Sequence, residues 1–382
     1  MDHAAATPLD PEVQRSMLPY YDKCFFNPSA PYAPARSARA DLEAARARLG
    51  RVLGSRAGNI TLTAGATEAN NLAFAAVDGQ VVADAIEHDS VLACVNARGG
   101  TVVGVDSAGF VSPEAVREAV GPLTELVSIE LANGEIGTIQ PIRKIAGVVN
   151  EERVRRLECG DPRPLLLHVD ASQAAGQVSI NVSTLGADLM TLSAAKIYGP
   201  KQVGLLWHAD GVALRPLVLG GGQEGGLRSG TENVAGAVGF AHALEIAEQM
   251  RTQEAKRLRG LSGRLRSGLS KRLEGVVFSG PANTKNRLPG LVHASFLGVE
   301  ARRLVIALER RNVLVGTGSA CAASKMRVSH VLTAIGMDES VAQGSLRMTM
   351  GRLTSAEDVD VALEAIVACV TEERERVGWR NI

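Results

Sequence analysis

Leu165-Leu166-Leu167-His168-Val169-Asp170-Ala171-Ser172-Gln173, followed by Leu189-Met190-Thr191-Leu192-Ser193-Ala194-Ala195-Lys196, decides how this chain folds. Each stretch is a short, nearly continuous apolar run that ends on a polar or charged residue. Such runs, with little alternation, mark strands buried on both faces, as in a parallel sheet covered by helices. Working outward, further runs stand at 60–63, 81–83, 101–105, 126–131 and 203–207, completing seven strands with 165–169 and 189–193. Helix-like segments at 67–77, 112–120 and 142–155 separate several of them. The alternation predicts an α/β fold with a mainly parallel seven-stranded sheet, whose ligands sit at the carboxyl ends of the strands.

A long helical region from 233 to about 273 carries the chain away from that sheet. A smaller α/β unit is expected beyond it, with strands at 291–296, 313–315 and 345–349 and helices at 300–311, 328–335 and 356–374. In the last helix Val359, Val361, Leu363, Ile366, Val367 and Val370 fit one buried face. The expected division is a large domain over 12–255 and a small one made of 1–11 and 256–382, a size split that suits 382 residues.

Composition narrows the function classes. Lys plus Arg and Asp plus Glu stand at 41 each, so charge gives no case for nucleic acid or a membrane surface as direct partner. Aromatic residues are only 3 %, too few for base-stacking platforms. No apolar run approaches the roughly 20 residues that span a bilayer, and no signal peptide is visible. Cys24, Cys94, Cys159, Cys321 and Cys369 are scattered, without a Cys-x-x-Cys pair. That pattern speaks against a disulfide framework or a metal centre and for a cytoplasmic enzyme.

Four local features carry chemistry. Lys196, in Lys196-Ile197-Tyr198-Gly199-Pro200-Lys201, follows a buried strand; it is either a solvated surface lysine or an amine poised to bond an aldehyde cofactor. Asp170 ends another buried strand, and either caps the turn after it or pairs with a protonated ring nitrogen. Thr63-Ala64-Gly65-Ala66-Thr67-Glu68 links a strand to a helix with small residues, which suits an anion at the helix start or a plain cap. The glycine-dense run 220–233 carries Arg228 and Thr231 and reads as a phosphate-contacting loop.

Taken in order, Gly65-Ala66-Thr67-Glu68, Asp170-Ala171-Ser172-Gln173, Lys196-Ile197-Tyr198-Gly199-Pro200-Lys201, Arg228-Ser229-Gly230-Thr231 and Gly318-Ser319-Ala320-Cys321 resemble the cysteine desulfurases. These belong to the aminotransferase class V family and have the pyridoxal-phosphate (PLP) fold type I; the Gly-Ser-Ala-Cys loop resembles that of the iron–sulfur-cluster and nitrogen-fixation type. The resemblance implies that Lys196 bonds PLP and later moves protons, that Asp170 pairs with the ring nitrogen and Gln173 with the ring hydroxyl, and that His88 stacks on the ring. It implies that Ala66, Thr67 and Ser193 hold the phosphate, with Thr231 reaching it from the partner subunit of a homodimer. Arg347, with Asn27 beside the substrate, would bind the carboxylate of L-cysteine through its guanidinium fork. Cys321 would take the sulfur as a persulfide, leaving alanine, and pass it to an acceptor protein, an iron–sulfur scaffold or a carrier in a nucleic-acid thiolation pathway. The thiolate is the nucleophile, so activity would rise with pH near neutrality.

Three positions depart from the family pattern. Ala195 stands where a histidine usually precedes the lysine, Gly134 stands in place of the second Asn of Asn-Asn-Glu-Ile-Gly, and Asn27-Pro28-Ser29-Ala30-Pro31-Tyr32 replaces Asn-Pro-Ser-Ser-x-His. Losing the donor at 134 would cost on the order of 1–3 kcal/mol if a carboxylate were left unpaired. The chain also starts a few strand residues later than relatives do, which reads as a slightly shortened N-terminus. Two other readings stay open, a selenocysteine lyase-like PLP enzyme and a weakly active subunit that mainly binds a sulfur-handling scaffold.

Overall fold

The computed structural model describes residues 1–318 and 329–379. Three helices, α1 (Pro11–Met17), α2 (Pro19–Asp22) and α3 (Ala33–Leu53), precede the first strand. The chain then alternates β1 (Ile60–Thr63), α4 (Ala66–Ala75), β2 (Gln80–Asp84), α5 (Asp89–Ala97), β3 (Thr101–Val103), α6 (Pro113–Ala119) and β4 (Thr124–Ser128). It continues through α7 (Ile142–Glu158), β5 (Leu166–Asp170), α8 (Val182–Leu185), β6 (Leu189–Ser193) and β7 (Gly204–His208). After α9 (Val234–Arg272) come β8 (Val276–Phe278), β9 (Leu291–Phe296), α10 (Ala301–Glu309), α11 (His330–Ala334), α12 (Glu339–Ala342), β10 (Ser345–Thr349) and α13 (Ala356–Val377).

The seven expected strands form one sheet in the order β1-β7-β6-β5-β4-β2-β3. Every neighbouring pair is parallel except those of β7, which runs antiparallel to both β1 and β6. The continuous apolar runs are explained by burial on both faces: Leu126, Val127, Leu167, Val169, Leu189 and Met190 are all fully buried. The run at 126–131 outlasts β4 because Ile129 and Leu131 N–H still donate to the His168 and Asp170 carbonyls. A second, antiparallel sheet has the order β10-β9-β8.

Helix α9 is 39 residues long and joins two separate cores. Its first half, Val234 to Leu244, packs into the core of the large sheet, and Leu258, Leu261, Leu265 and Leu269 pack with β9, β10 and α13. Helix α3, unread in the sequence, lies along α9. Its buried Ala35, Ala38, Leu42, Ala45, Leu49 and Leu53 recur at three- and four-residue steps, a signal diluted by small alanines and intervening arginines.

One expected strand is absent. Residues 313–315 build no ladder; the chain meets β10 at a single bridge, where Gly316 and Arg347 exchange backbone hydrogen bonds of 3.0 and 2.7 Å. Val313 and Val315 are apolar because they are buried, at 5 and 8 % exposure, rather than because they pair. The expected helix at 328–335 covers α11, with residue 328 outside the described residues. Among the described residues no helix is long and apolar enough to cross a membrane.

Candidate active site

Topology gathers most of the predicted side chains at one edge. Because β7 alone is reversed, the last residues of β1, β6, β5, β4 and β2 share an edge with Gly204, the first residue of β7. Gly204 pairs with Thr63 on one side and Ser193 on the other. A Cβ at 204 would lie 2.6 Å from the Gly65 carbonyl carbon, so only glycine lets β7 approach the turn that opens α4. Gly65 itself has φ 146° and open space over its Cα. The first N–H groups of α4, those of Ala66 and Thr67, point out of the helix start without intrahelical acceptors, where the dipole favours an anion. Ser193, the last residue of β6, stands at the same edge. The glycine-dense loop lies against it: Arg228 Nε donates to Glu68 Oε1 at 2.9 Å, and Glu68 Oε2 accepts from Ala64 N at 2.8 Å. Thr231 on that loop is exposed.

Lys196 sits in the turn Ala194–Lys196 directly after β6 and is half-buried. Its Nζ donates to the carbonyls of Ala4 and Ala5 at 2.8 and 2.7 Å, so it is an inward amine and not a solvated surface lysine. The turn is braced by Thr7, whose N–H and hydroxyl both donate to Ala195 O at 3.0 Å.

Asp170 closes β5 and is 8 % exposed. Oδ1 accepts from Ser172 N at 2.9 Å as a turn cap, while Oδ2 accepts from Asn70 Nδ2 at 2.9 Å. Asn70 is fully buried on α4 and also donates to Ser90 Oγ at 2.8 Å, which lies 2.8 Å from His88 Nδ1. His88 caps α5, taking the Ser90 N–H at 3.1 Å, and its ring faces solvent. A hydrogen-bonded chain therefore links Asp170 to His88 through Asn70 and Ser90. Sequence reasoning missed Asn70; an amide on the second turn of a helix that otherwise buries apolar residues was the available signal. Asn70→Ala is expected to leave Asp170 one donor short, lowering PLP affinity by about tenfold. Titrating the purified variant with PLP by absorbance checks this.

Gln173 and Gly134 explain one another. A Cβ at 134 would sit 2.8 Å from Gln173 Cδ and 3.0 Å from Nε2, so the volume of a side chain at 134 is filled by Gln173. Gln173 Nε2 donates to Ala4 O at 3.2 Å. Arg347, on β10, is 4 % exposed, with Nη1 3.3 Å from Gly134 O and Nη2 2.9 Å from Asp2 Oδ1. Asn27 is exposed, and its side-chain oxygen accepts from Ser29 N at 2.9 Å and closes a local turn. Cys321 lies outside the described residues; the flanking Gly318 and Ser329 both face Glu135, with Ser329 Oγ donating to Glu135 Oε2 at 2.8 Å. Of the other cysteines, Cys369 is buried and Cys159 exposed.

Behind Asp170 the interior is acidic. His168 is fully buried between Ser128 Oγ at 2.9 Å and Thr191 Oγ at 3.0 Å, and burial lowers its pKa to about 4, so it is neutral. Burial also lifts Asp84 to about 7, and lifts Glu87 and Glu130 well above the carboxylate range, each raised further by the Asp84 charge. A raised carboxyl binds its proton more tightly folded than unfolded, so this cluster stabilises the fold at low pH and loses that contribution as pH climbs from about 4 through 7. Asp84→Asn should therefore gain stability relative to the parent by about 1–3 kcal/mol between pH 5 and 8. Denaturant melts at the two pH values read that difference directly.

An amine beyond one strand, a buried carboxylate at the end of the next and a helix start shaped for an anion form the constellation of fold-type I PLP enzymes, and these groups fit the aldehyde, the protonated ring nitrogen and the phosphate of that cofactor. Comparison with known proteins narrows the class. The family described as aminotransferase class-V matches residues 1–362. A protein of Archaeoglobus fulgidus named cysteine desulfurase IscS 1 is 38 % identical over 98 % of this chain and 97 % of its own length. Cysteine desulfurase IscS of Clostridium botulinum is 37 % identical, covering 98 % of this chain and 95 % of its own. A solved NifS-like protein superposes with a TM-score of 0.88 at 33 % identity, over 97 % of this chain and 98 % of that one. A structure described as SspA in complex with cysteine gives 0.77 at 31 % identity, over 91 % and 97 %. The chain belongs to the aminotransferase class-V family, among its cysteine desulfurases.

Proposed function

We propose that the protein removes sulfur from free L-cysteine with PLP, leaving alanine and a persulfide on Cys321. The observation that supports this reading best is the shared sheet edge, where Lys196, Asp170 and the start of α4 converge. PLP, when bound, supplies an electron sink at the substrate's α-carbon.

The chain's own residues supply the rest. Ala66, Thr67 and Ser193 hold the phosphate. Asp170, fixed by Asn70 and Ser172, keeps a proton on the ring nitrogen, and Gln173 and His88 orient the ring. Arg347 takes the substrate carboxylate, and the Lys196 amine carries the α-proton. In the net reaction the Cβ–S bond of cysteine breaks, the sulfur joins Cys321 Sγ as a persulfide, and the carbon skeleton leaves as alanine after taking a proton.

Thr231 acting across an interface makes the working unit a homodimer. Its support is an exposed apolar edge on the same loop region, Leu217, Val218 and Leu219, with Leu219 at 81 % exposure. We place the domain division at 12–255 against 1–11 plus 256–382, in keeping with the two cores. The sulfur acceptor is a protein, an iron–sulfur scaffold by analogy with the relatives' class, in a reducing cytoplasm. Incubating purified, PLP-loaded protein with L-cysteine and a dithiol should yield alanine and sulfide in equal amounts. Alanine without sulfide, or neither, overturns the proposal.

A further inference from the structure

The guanidinium assigned to the substrate already holds a carboxylate. Asp2 Oδ1 lies 2.9 Å from Arg347 Nη2, with the side chains 27 and 5 % exposed. The contact is built, not incidental. Thr349 N donates to Met1 O at 2.9 Å, and Ala4 N donates to Thr349 Oγ at 3.0 Å, which lays residues 1–4 along β10 and aims Asp2 at Arg347. A Cβ at 316 would stand 3.0 Å from Arg347 Nη2 and 3.2 Å from Asp2 Oδ1, so Gly316 leaves just enough room for the pair. The same strap gives the Ala4 and Ala5 carbonyls to Lys196 and the Ala4 carbonyl to Gln173. One segment thus engages three predicted site residues.

We infer that Asp2 is an internal competitor for Arg347, setting the enzyme's affinity for the substrate carboxylate by occupying one arm, Nη2, of the fork that the substrate must take. This rests on the reading of Arg347 as the carboxylate site.

Two effects of Asp2 oppose each other, orientation of the guanidinium and neutralisation of its charge. Orientation is the smaller. β10 is held on one side by β9, where Arg347 faces His293, and on the other by the Gly316 bridge, and Nη1 lies 3.3 Å from Gly134 O. Arg347 Nε, also buried, finds no acceptor among the described residues, so the fork has donor capacity that Asp2 does not use. His293 offers no charge of its own, because burial, and then Arg347, push its pKa down to about 3. Competition therefore outweighs support.

The test uses the PLP-loaded enzyme and propionate, a carboxylate with neither amine nor thiol. Asp2→Asn and Asp2→Ser should each bind propionate about five- to tenfold more tightly by calorimetry, the size of one charge-assisted contact released, with KM for L-cysteine falling in parallel and more than kcat changes. Arg347→Lys should weaken propionate binding and erase the gain in the double variant. Unchanged or weaker propionate binding in whichever Asp2 variant folds, as judged by its melting curve, overturns the inference while Arg347→Lys still acts. If Arg347→Lys also leaves binding untouched, the carboxylate assignment itself has failed, and this inference with it.

Discussion

Lys196→Ala is expected to cost roughly 10³-fold or more in turnover of L-cysteine, the scale seen when a covalent or proton-transfer group is deleted. The protein should also lose the visible absorbance of amine-linked PLP. Lys196 follows β6 by one tight turn, so its Cα is fixed by the sheet, and its amine is directed inward by the Ala4 and Ala5 carbonyls at 2.8 and 2.7 Å. Alanine keeps the turn but leaves the Ala5 carbonyl without its donor, while Ala4 O still accepts from Gln173 Nε2; the loss costs about 1–3 kcal/mol if water does not replace it. Stability thus falls modestly while activity collapses. Lys201 is the control, because its amine donates to Thr7 O and braces the N-terminal segment. Lys201→Ala should keep the absorbance band. Spectra and steady-state rates of the two variants, taken side by side, check the expectation; a persisting band in Lys196→Ala would count against the assignment.

Cys321→Ser should be as severe for sulfur release and silent for cofactor binding. A hydroxyl at that position accepts no sulfur, because attack on the substrate sulfur needs a thiolate of high intrinsic nucleophilicity. Sulfide production should drop by roughly 10³-fold, with PLP absorbance unchanged. Cys159, exposed among the described cysteines, is the control, and Cys159→Ser should release sulfide at the parent rate. Sulfide assays on both variants separate a role for one thiol from a general need for cysteines. Near-parent turnover in Cys321→Ser would refute the persulfide step.

The large sheet was legible because its central strands are buried on both faces, and burial on both faces writes itself as unbroken apolar runs. All seven appear, with ends displaced by a few residues, as at β3, which stops at Val103 and not at 105. The run at 313–315 looked the same and is not a strand, since burial of Val313 and Val315 under α10 and α13 has the same apolar signature as pairing. Helix α3 was missed for the opposite reason, since Ala35, Ala38 and Ala45 on its contact face carry little apolar signal and arginines stand between its leucines. Within the site, residues carried on strand ends were readable, because strand order alone places Asp170 and Lys196 side by side. What sequence did not carry was contact between distant segments. Asn70 under Asp170, Gln173 in the space left by Gly134, and Asp2 on Arg347 all depend on the three-dimensional approach of chains 100, 39 and 345 residues apart. Gly134 in particular looks like a lost donor in one dimension and a filled volume in three.

The most direct measurement of the central claim is chemical. Load the purified protein with PLP, reduce it with borohydride, digest it and locate the pyridoxyl group by mass spectrometry. The account predicts a single modified peptide, with the added mass on Lys196. Modification of Lys201 in its place, or of no lysine at all, would contradict it.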